Sequence, residues 1–186
     1  TLFPYTTLFR SGLSNVFHVQ FGTVALVFEG IMFFVFLFVR KDLVHLGTLA
    51  WCFLIGPFEN LWLGILDPIL PVASEMSVGL KIVCILLGSA IIIVTLAYYI
   101  PIGLGYQTSD IFAFIAADIV KKSYGIGLII SYAILFVIGV ALGSSWGIGT
   151  LIAVVAYGPI IDRLMVIFEP FSFAVAGMTK EDKKGK

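Results

Sequence analysis

The sequence predicts an all-α membrane protein, a polytopic helical bundle, and three observations carry that reading. Of its 186 residues, 60% are hydrophobic and only 12% are charged, against roughly half and about a quarter in soluble domains. The mean hydropathy is +1.11. Five apolar runs approach the roughly 20 residues that a helix needs to cross a hydrocarbon core of about 30 Å. A soluble fold of this size has no interior large enough for so much apolar surface. The 11 basic and 11 acidic residues cancel, so no net field draws nucleic acid; the expected surroundings are a lipid bilayer.

Residues 1–11, TLFPYTTLFRS, look like the one-frame translation of a widely used sequencing-library adapter. They are set aside as an adapter-derived artefact, so Phe3, Tyr5, Phe9 and Arg10 carry no weight here. The native reading starts at Gly12, and a span upstream of the junction is expected to be missing.

The runs are Phe21–Val39 (span A), 47–66 (B), 78–100 (C), 125–142 (D) and 148–168 (E). Between C and D, residues 109–122 form a short helix whose apolar part, 111–117, is too short to cross. Lys and Arg near span ends mark the cytoplasmic side. Arg40 and Lys41 follow A, Lys121 and Lys122 precede D, and Lys180, Lys183, Lys184 and Lys186 follow E. Five alternating crossings put those three places on one side, which makes the C-terminus cytoplasmic. The opposite connections, 67–77 and 144–146, carry Asp67 and Glu75 and no basic residue.

An internal repeat sharpens the architecture. Residues 47–60 read GTLAWCFLIGPFEN and residues 149–162 read GTLIAVVAYGPIID. At an offset of 102, Gly47, Thr48, Leu49, Gly56 and Pro57 recur as Gly149, Thr150, Leu151, Gly158 and Pro159, and Asn60 faces the near-isosteric Asp162. With a one-residue shift, Phe21 and Gly22 match Tyr124 and Gly125. Spans A and B therefore repeat as D and E, in opposite orientation. The expected organisation is a truncated first repeat (12–66), an extracytoplasmic loop (67–77), a second repeat (78–168) and a cytoplasmic tail (169–186): five spans of six, in two inverted three-span halves. A short helix that crossed would instead make the halves parallel; its length argues against that.

Gly103 and Gly105 ahead of Asp110, then Gly147-Ile148-Gly149-Thr150 and Gly158-Pro159 with Asp162, resemble the bacterial YczE/YyaS/YitT-like family of integral membrane proteins. The resemblance covers most of residues 12–168 and implies a multi-pass bacterial inner-membrane protein of two related halves, in a family whose role is not established. The chain departs from the family pattern at Gln107-Thr108-Ser109, where Pro-Trp commonly precedes the Asp.

The candidate residues follow from depth and pairing. Pro57 and Pro159 remove a backbone donor in mid-span and free the carbonyls of Phe53 and Val155, so kinks are expected. Gly-Pro breaks at matching positions of inverted halves point to a central site, or they only shape the bundle. Asn60 and Asp162, three residues past each proline, would offer an amide and a carboxylate to a cation or proton. Asp162 could equally sit near the cytoplasmic interface, where charge is cheap. Glu29, at the centre of span A, is the deepest charge and the leading single candidate, because buried carboxylates face a partner or a pathway. Glu59 reads as an interfacial anchor. Cys52 and Cys84 read as packing or lipid-facing residues.

The connection 101–105 allows positive φ at its glycines, after which Thr108, Ser109 or Asp110 is expected to cap the short helix. That helix reads as interfacial, with Lys121 and Lys122 at the headgroups; a re-entrant half-helix offering amides to an anion is the alternative. No nucleophile and base pair up, so no catalytic residue, metal or cofactor is expected. The function expected is passage of a small solute or ion along Glu29, Gly56, Pro57, Asn60, Asp110, Gly158, Pro159 and Asp162; the alternative is a non-transporting accessory or scaffold protein.

Overall fold

A computed structural model describes residues 5–66, 68–69, 75–144 and 147–178. Asp67, most of the 67–77 loop, residues 145–146 and the lysines beyond residue 178 lie outside the described residues. Seven α-helices follow in order: α1 Tyr5–Phe17, α2 Phe21–Val39, α3 Leu46–Leu66, α4 Val78–Tyr99, α5 Thr108–Val120, α6 Tyr124–Ala141 and α7 Ile148–Ala176. A 3-10 turn, Ile100–Ile102, prolongs α4. Helices α2, α3, α4, α6 and α7 are long and apolar enough to cross a membrane. The chain is an integral membrane protein, built as a polytopic helical bundle, and the five spans fall where the apolar runs placed them.

The differences have physical causes. Helix α7 continues to Ala176 instead of ending at Phe168, because its last turns pack on α4: the Ser172 hydroxyl donates to the Tyr98 carbonyl at 2.7 Å, and Phe171 stacks obliquely on Tyr98. The helix stops at Gly177, whose φ of 64° only glycine adopts freely. The expected tail 169–186 therefore begins in helix. Both α3 and α7 run through their mid-span prolines, Pro57 and Pro159.

Helices α2 and α3 meet through glycine. A Cβ on Gly22 or Gly56 would strike the other's backbone carbonyl, and the same holds for Gly125 and Gly158 between α6 and α7. Without Cβ atoms the backbones come close enough for tight packing, which is what holds helices together where lipid is as apolar as they are.

Helix α5 fixes the directions. Its first residue, Thr108, donates its hydroxyl to Glu29 in α2, Phe112 packs edge-on to Phe36 with centroids 5.0 Å apart, and Asp118 accepts from Arg40 at 2.7 Å. Ten steps along α5 thus run beside eleven along α2 and its C-cap, a rise of roughly 15–17 Å at about 1.5 Å per residue. Helices α2 and α5 are parallel, and α5 begins at the depth of Glu29, the ninth of the nineteen residues of α2. Helix α5 thus runs along α2 and does not lie across it. It ends at Lys121, whose left-handed backbone (φ 54°) closes the last turn, and α6 starts at once and runs back. Helices α2 and α6 are therefore antiparallel, and Arg40, Lys41, Lys121 and Lys122 gather at one face.

Helix α4 packs against α7, with the Tyr157 hydroxyl 2.7 Å from the Ser89 hydroxyl. The apolar core, including Leu96, Ala113, Leu128, Ala153 and Ile161, sits between α4, α5, α6 and α7.

Candidate functional site

Glu29 is 2% exposed, and three neighbouring elements converge on it. Thr108 from the first turn of α5 donates to its carboxylate. Arg10 from α1 forms an ion pair with it and, through its other terminal nitrogen, with Glu59 of α3 at 2.8 Å. The Cys52 thiol, fully buried in α3, lies 3.9 Å from the same carboxylate. Burial and the neighbouring Glu59 oppose a charge on Glu29, while the guanidinium and the positive N-terminal end of α5 favour it.

Glu59 is held by Arg10, and Cys52 is buried and does not face lipid. Arg10 belongs to the adapter-like stretch that the sequence reading set aside; in this chain it is 95% buried, being 5% exposed. The polarity of Glu29 in mid-span was legible in the sequence. Its meeting with these partners was not, because they stand 19 to 79 residues from it along the chain.

Asp110, also predicted, is fully buried two residues into α5. Its Oδ1 accepts from the Tyr124 hydroxyl at 2.8 Å and from the Gln107 amide at 3.2 Å. Its Oδ2 has no hydrogen-bond partner among the described residues. Burial pushes its carboxyl up to about 8, against the Tyr124 hydrogen bond and with help from the negative charge of Glu29. None of Thr108, Ser109 and Asp110 caps α5. The N-cap is Gln107, which makes no side-chain cap bond; Thr108 is already committed to Glu29, and Asp110 to Tyr124. The approach to this turn needs two glycines. Gly103 and Gly105 have φ of 69° and 121°, and Gly105 lies so close to Thr48 that a Cβ would sit 2.6 Å from its backbone nitrogen. The Thr48 hydroxyl then accepts from the Tyr106 amide at 2.9 Å, which pins the descending loop to α3.

The raised Asp110 carboxyl has a measurable consequence. Between the ordinary value of 3.8 and about 8, the folded protein keeps a proton that the unfolded chain has released, so stability falls as pH rises through that window. Thermal unfolding in detergent from about pH 4 to about pH 8 is expected to show that decline, and Asp110→Asn to flatten it. An unchanged slope in the variant would remove Asp110 as its source.

Asn60 and Asp162 do something else than predicted. The Asn60 Oδ1 accepts from the Gly22 amide at 3.1 Å, and the Asp162 Oδ1 accepts from the Gly125 amide at 2.8 Å. Each side chain satisfies an N-terminal amide of the neighbouring helix, where the local N-cap residues, Gln20 and Ser123, make no such bond. Since α2 and α6 are antiparallel, these two caps lie at opposite ends of the bundle. Gly56, Pro57, Gly158 and Pro159 sit beside them, so the structure gathers Glu29 and Asp110 at mid-depth and leaves the other six predicted residues in two helix-packing seams.

A cavity of about 630 Å³ opens between α3 and α4. Arg10, Glu59, Trp51, Thr95, Gln107 and Tyr132 contribute to its wall. It therefore borders both Glu59 and Gln107, the partner of Asp110. Among the described residues no group of His, Cys, Asp and Glu has the arrangement of a metal site.

No curated protein and no solved structure matches this chain. Residues 4–166 match a family model described as a family of unknown function. With nearly the whole chain covered, including both the Glu29 centre and the two glycine seams, the protein belongs to that family of unknown function, DUF6198.

Proposed function

We propose that this protein carries a small solute or ion across the bacterial inner membrane, through a mid-membrane site between two inverted halves, with its C-terminus in the cytoplasm. The observation that carries the reading is α5, a half-helix that starts at the depth of Glu29 with three buried polar residues, Thr108, Ser109 and Asp110, in its first turn. Broken helices whose ends meet polar groups near the midplane are how inverted-repeat transporters build their sites, and non-spanning backbone at that depth is tolerated where protein or a cavity surrounds it.

Two further observations support inversion. The glycine seam and its cross-helix cap occur twice, at residues matched by the offset, on helices that run in opposite directions. Arg40, Lys41, Lys121 and Lys122 share one face, which the positive-inside rule makes cytoplasmic. The resemblance to YczE/YyaS/YitT-like proteins agrees with both. A scaffold role draws its support from the seams themselves, since Gly56, Asn60, Gly158 and Asp162 serve packing.

Proteoliposomes loaded with a pH-sensitive dye separate the two readings. Under an imposed gradient, Glu29→Gln is expected to lower flux by at least about tenfold, the scale of losing a group that acts in the rate-limiting state. Asp162→Asn is expected to stay within about twofold, because an amide oxygen accepts the same bond from Gly125. Equal loss in both variants, or no flux above empty vesicles, speaks for the scaffold.

A further inference from the structure

Three carboxylates, Glu29, Glu59 and Asp110, stand in the interior of the bundle with one guanidinium, Arg10, among them. Ions buried in this way are expensive unless paired, and one cation cannot neutralise three anions. A second observation is independent of that count. Asp110 is 0% exposed, and its Oδ2 meets no donor among the described residues. A carboxylate oxygen left without a donor in a buried place is satisfied at once if it carries a proton and finds an acceptor, or if a cation enters.

The surroundings favour the proton. Among the described residues no donor set suits a metal ion. Each deep carboxylate instead has a hydroxyl beside it, Thr108 on Glu29 and Tyr124 on Asp110, and hydroxyls both donate and accept. The cavity between α3 and α4 reaches Glu59 and the Gln107 that holds Asp110, so one polar edge of the cluster opens onto a space large enough for several water molecules. The titratable groups facing Glu29 are Arg10 from α1, Cys52 and Glu59 from α3, and Asp110 from α5; Tyr124 from α6 reaches Asp110.

We propose that Glu29 and Glu59 form a proton-exchange pair open to the α3–α4 cavity, with Asp110 as the second proton site on the first turn of α5. The coupled species in transport is then a proton. That role rests on the transport reading above, whereas occupancy by a proton is a property of the carboxylates and is measured without transport.

Dicyclohexylcarbodiimide tests it on the full chain in liposomes. The reagent reacts with a protonated carboxyl in an apolar setting: the carboxyl proton and oxygen add across one C=N bond, and the adduct rearranges to a stable N-acylurea with nothing lost. Peptide mass spectrometry then reads modification at Glu29 and Glu59. Modification is expected to fall by at least about tenfold between about pH 5.5 and about pH 8.5, since each unit above a carboxyl's midpoint removes about nine-tenths of its proton. Arg10→Ala, which takes away the competing cation, is expected to raise modification at a given pH by about threefold or more, and Glu29→Gln to abolish it on that peptide while sparing Glu59. Should Arg10→Ala fail to elute as a folded monodisperse species, the pH series on the unchanged chain decides alone. Modification that sodium suppresses at constant pH assigns the site to a metal cation and overturns the proposal, as does absence of modification at every pH. Modification as expected with no flux in the vesicle assay would retain the proton site and discard the transporter.

Discussion

Gly158→Val is expected to cost the fold at least about 3 kcal/mol, because overpacking a tight contact costs about 1–3 kcal/mol even where side chains can yield and here the obstacle is backbone. A Cβ on Gly158 would collide with the Gly125 carbonyl and come within 3.0 Å of Ile129. Helices α6 and α7 would have to part, which would also pull Asp162 from the Gly125 amide. Unfolding in mixed micelles, followed by helicity, measures the loss. Gly88→Ala is the control: no atom lies within 4 Å of its Cβ position, so alanine's better helix propensity is expected to leave stability unchanged or raise it by up to about 1 kcal/mol. If the two substitutions behave alike, the seam is not what holds this helix pair.

The second large effect concerns the ion pairs. Glu29→Ala is expected to destabilise this chain by about 3–5 kcal/mol, the usual cost of removing one partner from a buried pair. Arg10 would keep Glu59, which is 22% exposed at its side chain, but would lose its fully buried partner, and the Thr108 hydroxyl would lose its acceptor. Replacing the whole ionic set, Arg10→Met with Glu29→Met and Glu59→Gln, is expected to recover most of that loss, because apolar residues of similar volume often match or exceed a buried pair and no carboxylate is left without Arg10. The same micelle assay on the single and triple variants gives the coupling. A triple variant as unstable as Glu29→Ala would show that the carboxylate matters for something other than its pairing with Arg10.

These effects bear on how far the sequence could be read. Four of the five spans were legible to within a residue or so and the last fell short at Phe168, since a helix crossing lipid must be apolar along its length and polar residues mark its ends. Span D, read as 125–142, is the helix Tyr124–Ala141. Glu29 was legible for the same reason, as a charge where the rule forbids one. The repeat offset brought Gly22 and Gly125, and Asn60 and Asp162, into correspondence, yet their contact lay beyond it. Spacing from Pro159 put Asp162 on a helix face, but its acceptor role is completed by an amide of α6, and no periodicity within α7 reports a neighbour. The course of helix α5 was the least legible. Its length and flanking lysines suit an interfacial helix as well as a half-helix, and only the two contacts at its ends, Thr108 with Glu29 and Asp118 with Arg40, distinguish them. Residues 1–11 pose the reverse case: they were set aside on their resemblance to an adapter, yet Arg10 stands in the helix that starts at Tyr5.

The course of α5 alongside α2 underlies both proposed roles, and paired cysteines test it most directly. With Cys52 and Cys84 replaced by alanine, Glu29→Cys with Thr108→Cys and Arg40→Cys with Asp118→Cys are each oxidised in membranes. Both pairs are expected to form disulfides, since both sets of side chains meet in the fold. Cross-linking at 40 and 118 with none at 29 and 108 would lay α5 along the membrane surface and contradict the account.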